Sequence, residues 1–333
     1  MKMPTDTHLL PEQSGTVARF EIGYTRYLDK RGRAVTNSLP SWAGDAEIML
    51  PMYRLMCKAR EFDRAAMNLQ RTGRLGTFAS PLGQEAIGAA VAGCMRPEDV
   101  LIPSYREFSA QIGRGVRMLE LLLYWGGDER GSDFQGPRED LPVSIPVASH
   151  CCHATGVAYA FKLRRQARVA VCFLGDGATS KGDFYESLNA AGTWNLPLVF
   201  VVSNNRWAIS VPLSRQTAAQ TLAQKAIAAG IPGEQLDGND AVAVRARVEQ
   251  AIQAARSGEG PALIEALTYR MGDHTTADDA SRYREQAEVE QYRQYDPIVR
   301  LRDFLQQQGL WSQQEEGKLL EACRAEVSEA VED

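Results

Sequence analysis

The stretch RVAVCFLGDGATSKGDFYESLNAAGTWNLPLVFVVSNN, Arg168–Asn205, decides the fold. It opens on a short run, Arg168–Leu174, that is almost wholly apolar and rich in β-formers. A strand buried on both faces looks like this, because neither side of it meets water. A Gly-Asp-Gly turn follows at 175–177, and then a helical stretch from about Asp183 to Trp194. Pro197 introduces a second apolar run, LVFVVS, which closes on Asn204-Asn205. Strand, helix and strand in this order form a βαβ unit with a right-handed crossover.

Outward from that unit the pattern repeats. A helix is expected over 241–256, followed by a strand at 262–269 (ALIEALTY). Alternating strands and helices predict an α/β fold, a parallel sheet flanked by helices on both faces. Upstream, Ile48, Met52, Leu55, Met56, Phe62, Ala66 and Leu69 recur at helical spacing and predict a helix over 45–72, with Gly73 as its cap. Further helices are expected at 83–95 and 117–125. Residues 1–45 carry Pro4, Pro11 and Pro40 and read as an irregular N-terminal arm. The charged, amphipathic residues 296–332 read as two helices split near Gly309. The division expected is an arm at 1–45, an α/β domain at 46–295 and a helical C-terminal extension at 296–333.

Bulk properties narrow the class. A chain of 333 residues, 44% hydrophobic, 24% charged and with 28 glycines has ordinary globular values, which excludes disordered, collagenous and coiled-coil classes. The net charge of −5 supplies no basic face, so no nucleic-acid partner is expected. The longest apolar runs fall far short of the ~18 residues that a membrane span needs. MKMPTDTHLLPEQSG has no charged start followed by an apolar block, and six scattered cysteines form no disulfide framework. A cytoplasmic protein with reduced thiols is expected.

Ligand sites in parallel sheets form beyond the carboxyl ends of the strands. Asp176 follows the first strand, Asn205 the second, and Arg270 and His274 the third. If the first two strands are adjacent, a carboxylate and an amide oxygen meet there as hard ligands suited to Mg²⁺ carrying phosphate oxygens. Gly177 would allow close backbone approach to a phosphate, and the helix near Asp183 would offer its positive end.

Gly-Asp-Gly and Asn-Asn at this separation form the thiamine-diphosphate fingerprint. The text around them, GDGATSKGDFYESLNAAGTWNLPLVFVVSNNRWAIS, resembles the alpha subunit of heterotetrameric 2-oxo acid dehydrogenase first components. The likeness runs from about 17 to 320 and includes GRLGTFASPLGQEA (73–86), IPSYRE (102–107), TLAQKAIAAGIPG (221–233) and TYRMGDHTTADDASRYR (268–284). It implies a thiamine-diphosphate-binding fold. Asp176, Asn205 and the carbonyl of Trp207 would be the Mg²⁺ ligands. Tyr105, Arg106 and Arg270 would meet the diphosphate, together with Gly175, Gly177 and Ala178 of the fingerprint turn. Val147 would bend the cofactor, with Ser144–Ala148 meeting the aminopyrimidine. His274 would be the active-site histidine assisting acyl transfer to lipoamide, a role suited to a side chain that titrates near neutrality.

The resemblance further implies an α2β2 heterotetramer. The family's cofactor-activating glutamate lies in a second domain, for which the stretch after Asn205 leaves no room, so a beta subunit is expected. A lipoyl-bearing acyltransferase is the implied second partner, and a 2-oxo acid the substrate. Segment 127–146 and Ser203 resemble pyruvate-type subunits, whereas Thr77 and ADDASRYR resemble branched-chain ones; pyruvate is the expected substrate, 3-methyl-2-oxobutanoate the alternative. Phe108 falls where some relatives have a pocket histidine, and Thr275 where mammalian relatives carry a phosphoserine. A non-catalytic scaffold would not need Asp176, Asn205, Arg270 and His274, and a nucleotide enzyme lacks GxGxxG or GxxxxGK[ST]. His150-Cys151-Cys152-His153 reads as helix packing instead of a zinc site, since neighbouring helical side chains diverge.

Overall fold

The computed structural model describes residues 15–333. The start of the arm, Met1–Ser14, on which the signal-free reading rested, lies outside the described residues. The elements run β1 Gly23–Thr25, α1 Ala46–Arg71, α2 Glu85–Ala92, β2 Val100–Ile102, α3 Phe108–Arg114, α4 Met118–Trp125, α5 Ser149–Leu163, β3 Ala170–Gly175 and α6 Gly182–Thr193. They continue with β4 Leu198–Asn204, β5 Trp207–Ala208, β6 Val211–Pro212, α7 Leu213–Gln216, α8 Lys225–Ala228, β7 Gly233–Asp237, α9 Ala241–Arg256 and β8 Ala262–Leu267. Three helices close the chain: α10 Gln286–Arg293, α11 Pro297–Gln307 and α12 Gln313–Glu332.

Among the described residues the main sheet has the order β1-β7-β8-β4-β3-β2, and every neighbouring pair is parallel. The expected βαβ unit is present: β3 and β4 pair from Ala170↔Leu198 to Gly175↔Ser203. Alternate side chains explain why these strands lack a polar face. Val171, Phe173, Val199 and Val201 pack with α1, α2, α9 and α11, while Cys172, Leu174, Phe200 and Val202 pack with α5 and α6. Both faces are therefore dry.

The long first helix forms as the periodicity predicts. Asp45 caps it by accepting from the amide of Glu47, and Gly73, at φ +74°, follows its end. The two C-terminal helices separate around Gly309, which has φ +70°.

The sheet has more strands than the apolar runs announce. β7 is polar at Glu234 and Gln235, which are half-buried near the sheet edge, and β2 is only three residues long. The arm is not wholly irregular: Gly23–Thr25 pairs with β7 as an edge strand. Such a strand needs one partner and no buried face, so its sequence shows no pattern. Behind it, the amides of Tyr27 and Leu28 donate to Asp240, both at 2.7 Å. No described helix is long and apolar enough to cross a membrane.

Candidate functional site

The carboxyl ends of β2, β3, β4 and β8 lie along one edge of the sheet, so the loops after them share one cleft. β3 and β4 are neighbours, and this alone brings the segments after Gly175 and Asn204 together across 29 residues of sequence. The paired asparagines then part. Asn204 is fully buried and donates to Glu265 at 2.7 Å, a buried carboxylate that also accepts from Ala223 N and Gln235 Nε2. Asn205 turns to the cleft, where its Oδ1 accepts from Trp207 N at 3.2 Å and its Nδ2 donates to Gln84 Oε1 at 3.3 Å.

Asp176 is 1% exposed, and Gln216 Nε2 donates to its Oδ2 at 2.8 Å. Burial draws this carboxyl above the usual range, opposed by Gln216, its own amide, Arg270 and the Asn205 amide. A buried carboxylate in that condition favours a cation beside it. The Asn205 backbone amide donates to it, and the side-chain oxygen of Asn205 and the carbonyl of Trp207 are, like the carboxylate, hard oxygen donors. Gln84 Nε2 and Gln216 Oε1, buried beside these groups, have no partner among the described residues.

Gly177 follows in a 3₁₀ turn, Asp176–Ser180. A Cβ at Gly177 would lie 2.7 Å from Cβ of Ala208, so the glycine is required by the packing of this turn on β5. The helix expected from about Asp183 begins at Gly182, and the 3₁₀ turn stands between it and Gly175. Ala178 points into the core behind the sheet, which leaves its backbone to the cleft.

The basic side of the cleft is built from two buried arginines. Arg106 donates to Ser80 O and His274 O, both at 2.6 Å. Arg270 donates to Ile209 O and Tyr283 Oη, both at 2.8 Å, and to Trp207 O at 3.4 Å. Both guanidinium groups also reach Nδ1 of His274, at 3.1 and 3.3 Å. Burial lowers the pKa of each arginine, and Arg106 and Arg284 lower that of Arg270 further. Arg270 Nε has no partner among the described residues. Two converging, desolvated cations favour an anion with several oxygens, and the arginine fork suits a diphosphate.

His274 departs from the expectation of a near-neutral pKa. Burial, then Arg106 and Arg270, push it down to about 4, against the opposing charge of Asp278. Because both arginines can only donate, Nδ1 accepts, and the ring is neutral with its proton on Nε2. The ring of Tyr105 stands edge-on to that of His274 at 6.2 Å.

Residues 272–284 are clasped from several sides. Asp278 accepts from His274 N at 2.9 Å and from the hydroxyl of Tyr283. Thr276 exchanges hydrogen bonds with the backbone of Phe78, and Arg284 donates to the carbonyls of Arg270 and Gly272. Gln84, Gln216, Asp278 and Tyr283 were not singled out by sequence reasoning. Gln84 and Tyr283 lie within stretches that carry the resemblance, whereas Gln216 has no local signal.

Val147 stands apart from this network. It is exposed on the turn before α5, whose Ala148 has φ +71°; the preceding stretch is held beside Tyr105 by Ser144 N donating to Ser104 O at 3.2 Å. Phe108 does not face the cleft. It is fully buried, stacked on Phe78 at 5.3 Å and edge-on to Phe62.

Comparison with known proteins agrees with this geometry. Residues 53–333 match the model of the family described as dehydrogenase E1 component. The chain is 45% identical over 285 residues to the 3-methyl-2-oxobutanoate dehydrogenase subunit alpha of Mycobacterium tuberculosis, covering 85% of this chain and 78% of that protein. It is 40% identical over 319 residues to the pyruvate dehydrogenase E1 component subunit alpha of Staphylococcus aureus, covering 96% of this chain and 85% of that one. The chain is an alpha subunit of the dehydrogenase E1 component family.

Proposed function

We propose that this chain, with a beta subunit, catalyses the thiamine-diphosphate-dependent oxidative decarboxylation of a 2-oxo acid and passes the acyl group to the lipoyl group of a second component. The observation that carries this reading is the cleft itself. Hard oxygens at Asp176, Asn205 and Trp207 O would suit Mg²⁺, and Arg106 and Arg270 would suit the diphosphate. Gly175, Gly177 and Ala178 line the turn between them with backbone, and Tyr105 flanks it. When bound, thiamine diphosphate supplies the electron sink for decarboxylation.

The residues of this chain orient and protect. Gln216 and Gln84 hold the carboxylate of Asp176 and the amide of Asn205 in fixed rotations. His274 presents an N–H at Nε2 while its other nitrogen is pinned by two arginines, which suits hydrogen-bond donation to an acyl acceptor. An anion between the arginines would offset their charges and bring the histidine back toward its ordinary range. Ile145, Val147, Ile209 and Val211 are exposed apolar side chains on the segments bordering the cleft. They support a beta subunit closing the site, and this chain alone is expected to be inactive.

Pyruvate is the proposed substrate, supported by the relative that spans 96% of the chain. The branched-chain reading rests on the 45% identical relative and on Thr77, whose small side chain leaves room for a bulkier acid. The test is decarboxylation of pyruvate and of 3-methyl-2-oxobutanoate by the chain co-expressed with its beta subunit, with Mg²⁺ and thiamine diphosphate present or omitted. Cofactor-dependent turnover favouring pyruvate is expected. Preference for the branched acid overturns the substrate assignment, and an assembly that binds cofactor but turns over neither acid overturns the reaction class.

A further inference from the structure

The four consecutive residues His150-Cys151-Cys152-His153 cannot ligate one ion, as the helical geometry requires: Cys152 and His153 are exposed, and His150 and Cys151 are buried. The fold nevertheless supplies another ligand from a distant part of the chain. Cys172 projects from β3 toward the first turn of α5, and its Sγ lies 4.0 Å from Sγ of Cys151. A ring nitrogen of His150 and these two sulfurs all lie within 4.8 Å of one another. Cys151 and Cys172 are fully buried and His150 is 2% exposed.

Three features set this cluster apart from ordinary packing. The sulfur separation is close to the about 3.8 Å that two zinc–thiolate bonds subtend in a tetrahedron. His150 Nε2 is 2.6 Å from the carbonyl of Phe173, to which it must donate, and this leaves Nδ1 as the unprotonated nitrogen. Metal-bound histidines are held in this manner, with the second nitrogen on a backbone carbonyl. Finally, Nδ1 is buried with no partner among the described residues, whereas buried polar atoms are normally hydrogen-bonded.

We propose that His150, Cys151 and Cys172 form a structural site for one thiophilic d¹⁰ ion of the zinc type, separate from the Asp176–Asn205 cleft. On binding, each thiol loses its proton to solvent as its metal–sulfur bond forms, with no change in oxidation state. The site joins the base of α5, directly after the Val147 turn, to β3 three residues before Gly175. An ion there braces the two segments that border the cleft.

The experiment is titration of the chelator-treated full-length chain with Cd²⁺ and Co²⁺, read by thiolate-to-metal charge-transfer absorption and by proton release. One equivalent per chain and a raised melting temperature are expected. Cys172→Ser and Cys151→Ser abolish the charge-transfer band, and His150→Gln weakens binding ~10-fold or more. Cys152→Ser and Asp176→Asn retain the band at full strength, which separates the site from a surface thiol and from the Mg²⁺ cleft. Absence of the band in the folded wild-type chain overturns the proposal. So does a band lost in Cys152→Ser, or one that persists in Cys172→Ser.

Discussion

Single residues carry the cleft's electrostatics. Gln216 is the side-chain donor that holds Asp176. Replacing it with leucine is expected to weaken Mg²⁺-dependent thiamine-diphosphate binding by ~10–100-fold, the usual effect of losing a partner behind a metal ligand. Calorimetric titration of the αβ assembly measures this, and unchanged affinity would remove Gln216 from the site. Titration of His274 has a defined sign. Its ordinary value is 6.5, and the folded chain holds it at about 4. Between those values the unfolded chain binds a proton that the folded chain refuses, so stability falls as pH drops through that window. Asp63 acts in the opposite sense: burial raises its pKa from 3.8 to about 7, and this contribution is lost as pH rises from about 4 to 7. Urea midpoints measured across pH should show a shallower acid limb in His274→Gln. They should show Asp63→Asn gaining on the wild type as pH rises toward 7; parallel curves for variant and wild type would refute either assignment.

At the scale of the element, the segment after β8 is held in place by side chains, since it has little regular structure. Tyr283 joins its two ends, accepting from Arg270 and donating to Asp278, which itself accepts from the His274 amide. Tyr283→Phe removes two hydrogen bonds, each worth about 1 kcal/mol net, from a segment with few apolar contacts. Faster amide exchange across residues 272–283, with exchange in β3 and β4 unchanged, is the expected outcome. Uniform acceleration over the whole chain would show instead that Tyr283 supports the global fold. The turn at Gly177 responds differently. There alanine meets Ala208 and not a flexible loop, so a destabilisation of about 1–3 kcal/mol is expected in denaturant unfolding.

Across the whole molecule, Arg300 of α11 is the joint. It is 1% exposed and donates to Asp237 at the end of β7 at 2.9 Å, lies 3.7 Å from Asp240 at the start of α9, and donates to the Leu28 carbonyl of the arm. Asp240 in turn accepts from Tyr27 and Leu28 and caps α9 through Val242 N and Ala243 N. Three parts distant in sequence thus meet at one buried charge cluster. Removing the cation alone leaves carboxylates buried without it, so Arg300→Leu is expected to cost about 3–5 kcal/mol. A midpoint shift of under about 1 kcal/mol would show that water reaches the cluster and screens it.

Local sequence determined a definite share of this protein. The runs 168–174 and 198–203 announce doubly buried strands because both their faces are apolar, and the helices at 46–71 and 241–256 follow from periodicity and caps that act within one turn. Asp176, Asn205, Arg270 and His274 were legible because residues just beyond strand ends must lie in the cleft once the sheet is parallel. The tertiary structure decided what depends on contact between distant segments. The polar strand β7 and edge strand β1 exist because a neighbour offers its backbone, which no side-chain pattern records. Gln84 and Gln216 enter the cleft only through loops brought there by packing. The low pKa of His274 comes first from desolvation that only the folded chain imposes, and then from two arginines, one 168 residues away in sequence. Cys172 meets His150 and Cys151 for the same reason: a helix start and the middle of a strand are neighbours in the fold and not in the sequence.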